Sequence, residues 1–567
     1  MINTQKINFT TICLTALLTS LMYSPISQAS VTQDINAKMT KMLGHAPLVT
    51  SINDAEAQHL DRGAAKFQPW SGSYWPDING GIANHYRNHG KLGAEINFLM
   101  RHGVAKGRLN RDADHVESYI QSWVDNDDED RINQKLSPAE KYDLLLGDTD
   151  FTFTNAVKDE ADFRDQYRLA TKRAESGDDQ ESEGDDNSFY EDDVSTYKKY
   201  DDTVQYRYWR QKSGSLAYWS GICDGWSPAS IYLPRPEKSV TVTGALGNKI
   251  TFYPDDLKAL GSYLFARTNT PYFHTMDYQM AGHKCDPKGT PDTDSDGYVI
   301  DIRCNDVDPG VWHLSLLNRI GKDGMGFIMD VDNNIKINNH PIASYSVAYY
   351  NPITGRDGAL KSSIVNLEDV SDGYSVRRNP KAKFLVGVKS NVKFMYYIWP
   401  EGNRDSSSDG KSEDKIKDKD YVYDLELDAN YNILGGEWGN RSKENGRKVK
   451  YVDQPDFIWM AAPNKLPYSE ESWAAVAGQT IDFNNSRPFG NTKWAWDGKS
   501  ALPADWVRAA KADETWSAPE VGYQTVLDDG SLDVSPPEAK NATLKSAQPL
   551  SHIIYYLFDQ ARDPRQK

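Results

Sequence analysis

The hydrophobic pattern changes character along this chain, and that change restricts the available folds more than any other feature. From Ser30 to about Tyr200 the sequence reads as mostly helical. Beyond about Pro352 it alternates, as strands do when one face is buried. The clearest expected strands are Phe384 to Val388, Val392 to Ile398, Tyr421 to Leu427 and Tyr431 to Leu434, interrupted by a charged loop from Arg404 to Asp420. Helices and strands segregated along a sequence give an α+β fold. At 567 residues with 39% hydrophobic side chains, the chain can bury a substantial core and is expected to form two or three domains.

Local signals place several elements. Ser137 can cap a helix whose first residue is Pro138, Glu140 stands where a capping box needs it, and Gly147 ends that helix. Ser239 to Thr243 and Lys249 to Tyr253 form a hairpin, followed by a helix with Leu257, Leu260 and Leu264 on one face. Leu550 to Ala561 reads as a docked C-terminal helix. Pro69 to Gly81, rich in aromatics, glycine and proline, is a loop by turn chemistry. The run from Glu175 to Asp193 is acidic and of low complexity, which makes it a mobile linker.

The first 29 residues read as an export signal. Lys6 is its only charged side chain, Ile12 to Met22 is a short apolar run, and Ser27-Gln28-Ala29 supplies small residues for cleavage near Ala29. The run is too short to span a membrane, so the mature protein is expected to be secreted or periplasmic. A formal charge of −17 argues against nucleic acid or anionic membrane as a partner.

Export gives the four cysteines meaning. Cys13 lies in the signal, and Cys285 and Cys304 bracket a short loop rich in Asp and Gly, a common arrangement for a disulfide. Cys223 is left unpaired, between glycines and just ahead of the helix-start signal Ser227-Pro228, with Pro234 to stop the helix. An odd thiol there is a candidate nucleophile, against the plainer reading of a buried structural cysteine. The stretch Pro309 to Asn318 reads as a strand carrying His313. After a turn at Gly321 to Gly324, a second strand, Gly326 to Asp332, carries Asp330. Cross-strand neighbours lie within about 5.5 Å, so His313 and Asp330 can meet as the second and third members of a Cys-His-Asp triad, with Asp332 competing for the last place.

The segments Pro69 to Pro76, Leu136 to Leu145, Gly221 to Ala229 and Asp308 to His313 resemble the blocks of the transglutaminase elicitor family, the secreted transglutaminases of plant-pathogenic oomycetes and their bacterial relatives. The resemblance runs from about Phe67 to about Ser344. It implies a papain-like or transglutaminase-like cysteine core, with Cys223 as nucleophile, His313 as its base and Asp330 as third member. It also implies acyl transfer from protein glutamines to lysine or other primary amines; the backbone N–H of Cys223 is one candidate oxyanion donor and the indole of Trp219, by analogy with animal transglutaminases, another. In that family a histidine often follows the cysteine, whereas Asp224 stands here.

The expected organisation is then a signal (1–29), a mostly helical N-terminal region (30–174), the acidic linker (175–197), a catalytic core (198–351) and a β-rich C-terminal region (352–567). No organic cofactor is required. Asp292, Asp294 and Asp296 before Gly297 resemble the opening of a calcium loop, although Arg303 stands where the twelfth-position glutamate belongs. The alternatives are a cysteine peptidase or a glutamine deamidase with the same residues. A third reading is an exported, calcium-stabilised glycan-binding or adhesion protein with an inert thiol. No zinc helix, serine elbow, Cys-x-x-Cys pair or phosphate loop is present.

Overall fold

The computed structural model describes residues 35–77, 80–83, 86, 136–148, 151–154, 157, 221–268, 279–282, 307–331, 337–371, 378–400, 409–439, 454–460, 498–499, 502, 525–526, 532–533 and 549–562. The export signal with Cys13, the acidic linker, Cys285, Cys304, the Asp292 to Asp296 loop, Trp219 and Asp332 all lie outside these residues.

Near the N-terminus, α1 (Ile35–Leu43) and α2 (Ile52–Ala57) precede a short strand, β1 (Arg62–Ala64). Helix α3 (Pro138–Leu145) starts as its sequence requires. Ser137 Oγ accepts from the Glu140 N–H while the Glu140 carboxylate accepts from the Ser137 N–H, and Pro138 takes the first turn. Gly147 turns the chain away with φ +69°. Next come α4 (Cys223–Tyr232), the hairpin β2 (Val240–Thr243) and β3 (Lys249–Phe252), and α5 (Pro254–Thr268), in which Leu257, Leu260 and Leu264 are all buried as expected.

The remaining strands, apart from a short separate pair at Thr525–Val526 and Leu532–Asp533, are β4 (Gln279–Gly282), β5 (Ile328–Asp330), β6 (Asn339–Tyr350), β7 (Asp357–Gly358), β8 (Ile364–Asn366), β9 (Phe384–Tyr396), β10 (Lys415–Leu427), β11 (Ile433–Trp438) and β12 (Phe457–Met460). They and β1 form an antiparallel ten-stranded sheet in the order β11-β10-β9-β6-β5-β12-β4, with β1 and β7 beside β6 and β8 beside β9. Strands on both sides of position 352 therefore share one sheet, and the β-rich C-terminal segment completes it. The two strands expected between Phe384 and Ile398 are one, and the charged segment Lys415 to Asp420, expected as loop, is the first half of β10. That half leaves the core and is held by its ladder to β9, from Lys415 opposite Tyr396 to Asp420 opposite Asn391, with Lys417 Nζ 3.4 Å above the Tyr396 ring.

Pro309 to Asn318 departs most from expectation. It is not a strand: α6 (Pro309–Ser315) runs into a wider π-helical turn, Leu316–Lys322. Asp308 caps it, its carboxylate accepting from the N–H groups of Gly310 (2.7 Å) and Val311 (3.2 Å), and Pro309 occupies the first helical position. His313 and Asp330 therefore do not share a hairpin; β5 pairs with β6 and β12 instead.

Among the described residues two large apolar clusters fill most of the interior, with a small third one of Ile328, Phe457 and Trp459. One gathers α3, α4, α5, the β2–β3 hairpin and the C-terminal helix α7 (Ser551–Ala561). The other joins α1, α6 and the sheet. In the first, Tyr142 Oη accepts from the Leu550 N–H at 2.8 Å, which ties the start of α7 to α3.

Candidate active site

Helix α4 begins at Cys223 itself, four residues before the Ser227-Pro228 signal, and Pro228 lies inside it. Backbone contacts replace the missing side-chain cap. The Ile222 carbonyl receives the N–H groups of Gly225 (3.1 Å) and Trp226 (2.9 Å), and the Ile222 N–H donates to the Tyr74 carbonyl at 2.7 Å. The loop Pro69 to Gly81 thus borders the start of α4. Gly221 permits the approach, since a Cβ there would collide with the Tyr74 carbonyl oxygen and stand 2.9 Å from that of Trp75. The aromatic edge of this loop continues outward, Tyr74 packing on Tyr397 at 4.9 Å and on the half-exposed Trp399 at 5.7 Å.

Cys223 is a free thiol with partial exposure. It faces the connection between β5 and β6. Its S–H donates to the Ile337 carbonyl (3.7 Å), and the Asn339 side-chain N–H donates to Sγ (3.6 Å). Asn339 is held from two other sides, its Oδ1 accepting from the Trp459 indole (2.8 Å) and its carbonyl from Ser227 Oγ (2.7 Å). Asp330, directly opposite Asn339 in the ladder, is fully buried and accepts the Asn338 N–H at 2.9 Å, so it shapes the chain that brings Ile337 and Asn339 to the sulfur. Burial above all, then the Asp224 carboxylate, pushes the thiol up to about 12; both donors of Asn339 oppose this, and Asp330 adds to it. The resting sulfur is therefore a neutral thiol.

Of the three residues expected to form a triad, Asp330 stands opposite Asn339, the residue that touches Cys223, and His313 lies elsewhere. His313 points into the sheet cluster, where Nδ1 and Tyr423 Oη on β10 are 2.9 Å apart and the rings meet edge to face. It shares no hydrogen bond with Cys223 or Asp330. Complete burial lowers its pKa to about 3, so it is neutral at any ordinary pH. The cause is the helix: α6 packs against β10 and β11, whereas α4 packs against β6. Asn339 and Trp459 were not legible as site residues. The available signal was Asn338-Asn339-His340 opening a long alternating run, which marks a strand entry but names no partner.

Among the described residues no group of three or more His, Cys, Asp or Glu could hold a metal ion. No helix among them is long and apolar enough to cross a membrane.

A cysteine heading a buried helix, set against the carboxamide and carboxylate of facing strands in an α+β fold, defines a candidate thiol centre. The chain belongs to the transglutaminase elicitor family: the family's sequence model matches residues 112–475, more than half of the chain. That match runs past β12, beyond the blocks of resemblance that end near Ser344. The crystal structure of the GP42 transglutaminase from Phytophthora sojae is similar at 23% identity and a TM-score of 0.43, over 77% of this chain and 93% of that one. No curated protein sequence matches.

Proposed function

We propose that this chain is a secreted thiol acyltransferase, a transglutaminase that joins protein glutamines to primary amines. The observation that carries the reading is the partly exposed Cys223 at the head of α4, with Asn339 donors on its sulfur, in a chain of the transglutaminase elicitor family. Cys223 Sγ attacks the side-chain amide carbon of a glutamine, the C–N bond breaks, and ammonia departs with the thiol proton. A thioester remains. A lysine or small primary amine attacks its carbonyl, the C–S bond breaks, an isopeptide bond forms, and the proton released by the amine restores the thiol. Donors to the transient oxyanion typically contribute about 3 kcal/mol each.

With His313 bound to Tyr423, the reading needs another proton carrier. Alanine replacement of each histidine in turn, His313 and His340 included, tests which one carries the proton: it is the one whose loss abolishes turnover while Cys223 remains intact. Secretion follows in this reading from cleavage near Ala29.

The test is mass spectrometry of a glutamine-rich acceptor protein incubated with the mature chain and a small primary amine, with Cys223→Ala as control. Amine on glutamine side chains with the wild type alone supports the proposal. Deamidated glutamine or cut backbone would replace it by the deamidase or peptidase reading. An untouched acceptor would favour the binding-protein reading, in which the neutral thiol is inert.

A further inference from the structure

The Asn339 carboxamide is gripped at both ends. Its Oδ1 accepts from Trp459 Nε1 at 2.8 Å, and its Nδ2 lies 3.6 Å from Cys223 Sγ. Oxygen and nitrogen occupy opposite ends of one planar group, so the indole decides which end meets the sulfur. Were the amide reversed, an indole N–H would face an NH2 group, donor against donor, with Asn339 and Trp459 both buried. The backbone agrees: Ser227 Oγ on α4 donates to the Asn339 carbonyl at 2.7 Å, fixing the strand entry to the helix that carries the thiol.

We propose that Asn339 is a catalytic residue of this centre, whose N–H groups hold the sulfur as a thiolate, and that Trp459 is a positioning residue that locks the amide in its donating orientation. The inference rests on the acyl-transfer reading, in which the thiolate is regenerated as leaving group in the second half of the reaction. A carboxamide suits this place better than a carboxylate. Asp224 and Asp330 already disfavour negative sulfur, and donated hydrogen bonds are what opposes them.

The experiment is the pH dependence of Cys223 alkylation by iodoacetamide in the full chain, without any glutamine substrate. Compared are wild type, Asn339→Asp, which keeps the shape but removes the side-chain donors and adds charge, and Trp459→Phe, which keeps most of the ring bulk. Circular dichroism establishes that each variant is folded. Between about pH 7 and 10, below the midpoint, weaker stabilisation of the thiolate reads as a lower rate: Asn339→Asp should lose roughly ten- to hundredfold, and Trp459→Phe should lose less. The proposal is supported when that loss comes with unchanged hydrogen–deuterium exchange over residues 221–232. An unchanged rate in folded Asn339→Asp overturns it, and so does a loss accompanied by faster exchange of that helix, the mark of a purely structural role. If Asn339→Asp misfolds, Trp459→Phe decides alone by the same two readouts. Because alkylation needs no acyl donor, a lowered rate in a chain that incorporates no amine would separate failure of the function from failure of this assignment.

Discussion

Replacing Gly225 by alanine should loosen the helix that presents the nucleophile. Alanine in a helix interior is normally better than glycine by about 1 kcal/mol, so the sign of the effect depends on packing. Helix α4 crosses α5 with Gly225 at the contact. A Cβ there would overlap the Ser262 carbonyl oxygen and stand 2.6 Å from Ala266 Cβ and 2.7 Å from the Ala266 nitrogen. Two of those three atoms are backbone of α5 and cannot rotate away. Restoring ordinary contact separates the helices by roughly 1 Å, and overpacking of this kind costs about 1 to 3 kcal/mol. The clash outweighs the propensity gain, and a net loss of about 1 to 2 kcal/mol is expected in urea denaturation. The same shift displaces Cys223 relative to the Asn339 N–H, and a misplacement of about 1 Å can cost on the order of a hundredfold in turnover. A Gly225→Ala chain as stable as wild type, with unchanged alkylation and amine incorporation, would refute the close α4–α5 contact and the positioning it supplies.

Glu437 tests a different region. Burial raises its carboxyl to about 8, with Arg378 opposing and Asp424, Glu426 and Asp308 adding to the rise. The folded state therefore keeps a proton that the unfolded chain gives up above its ordinary glutamate pKa, and stability from this group falls as pH rises from about 4.5 towards 8. Glu437→Gln should gain in melting temperature relative to wild type from pH 5 to pH 8; an equal difference at both pH values contradicts this. His313 behaves oppositely. Its folded pKa of about 3 means that the unfolded chain takes up a proton first as pH falls below about 6.5, so its contribution is complete above that pH and lost on the way to 3. His313→Gln should flatten the acid limb of the stability profile between pH 6.5 and 4 and leave amine incorporation per folded molecule intact; abolished incorporation at full folding would return His313 to the catalytic role.

Local rules made much of this architecture legible. The capping box at Ser137, the β2–β3 hairpin, the leucine face of α5 and the C-terminal helix each follow from signals within one stretch. So does the strand carrying Asp330. His313 was misplaced because Val311, Trp312, Leu314, Leu316 and Leu317 form a run apolar enough to pass for a buried strand. The decisive signal was Asp308-Pro309, a cap followed by a first-turn proline, and it pointed to a helix. The start of α4 is not legible locally because the residue before it, Ile222, is held by the Tyr74 carbonyl, over a hundred residues away. Asn339 and Trp459 belong to the same class: their meaning comes from a ladder and an indole contact that no local pattern encodes. The charged half of β10 was hidden because its strand character rests on pairing with β9 and not on burial.

The most direct test of the account is to find where the acyl group sits. The mature chain is mixed with a glutamine-containing acceptor peptide in the absence of amine, quenched in acid, digested and mapped by mass spectrometry. The account predicts a peptide adduct equal to the acceptor mass less ammonia, located on Cys223, labile to hydroxylamine and absent from Cys223→Ala. An adduct on any other residue, or amine incorporation that survives in Cys223→Ala, would contradict it.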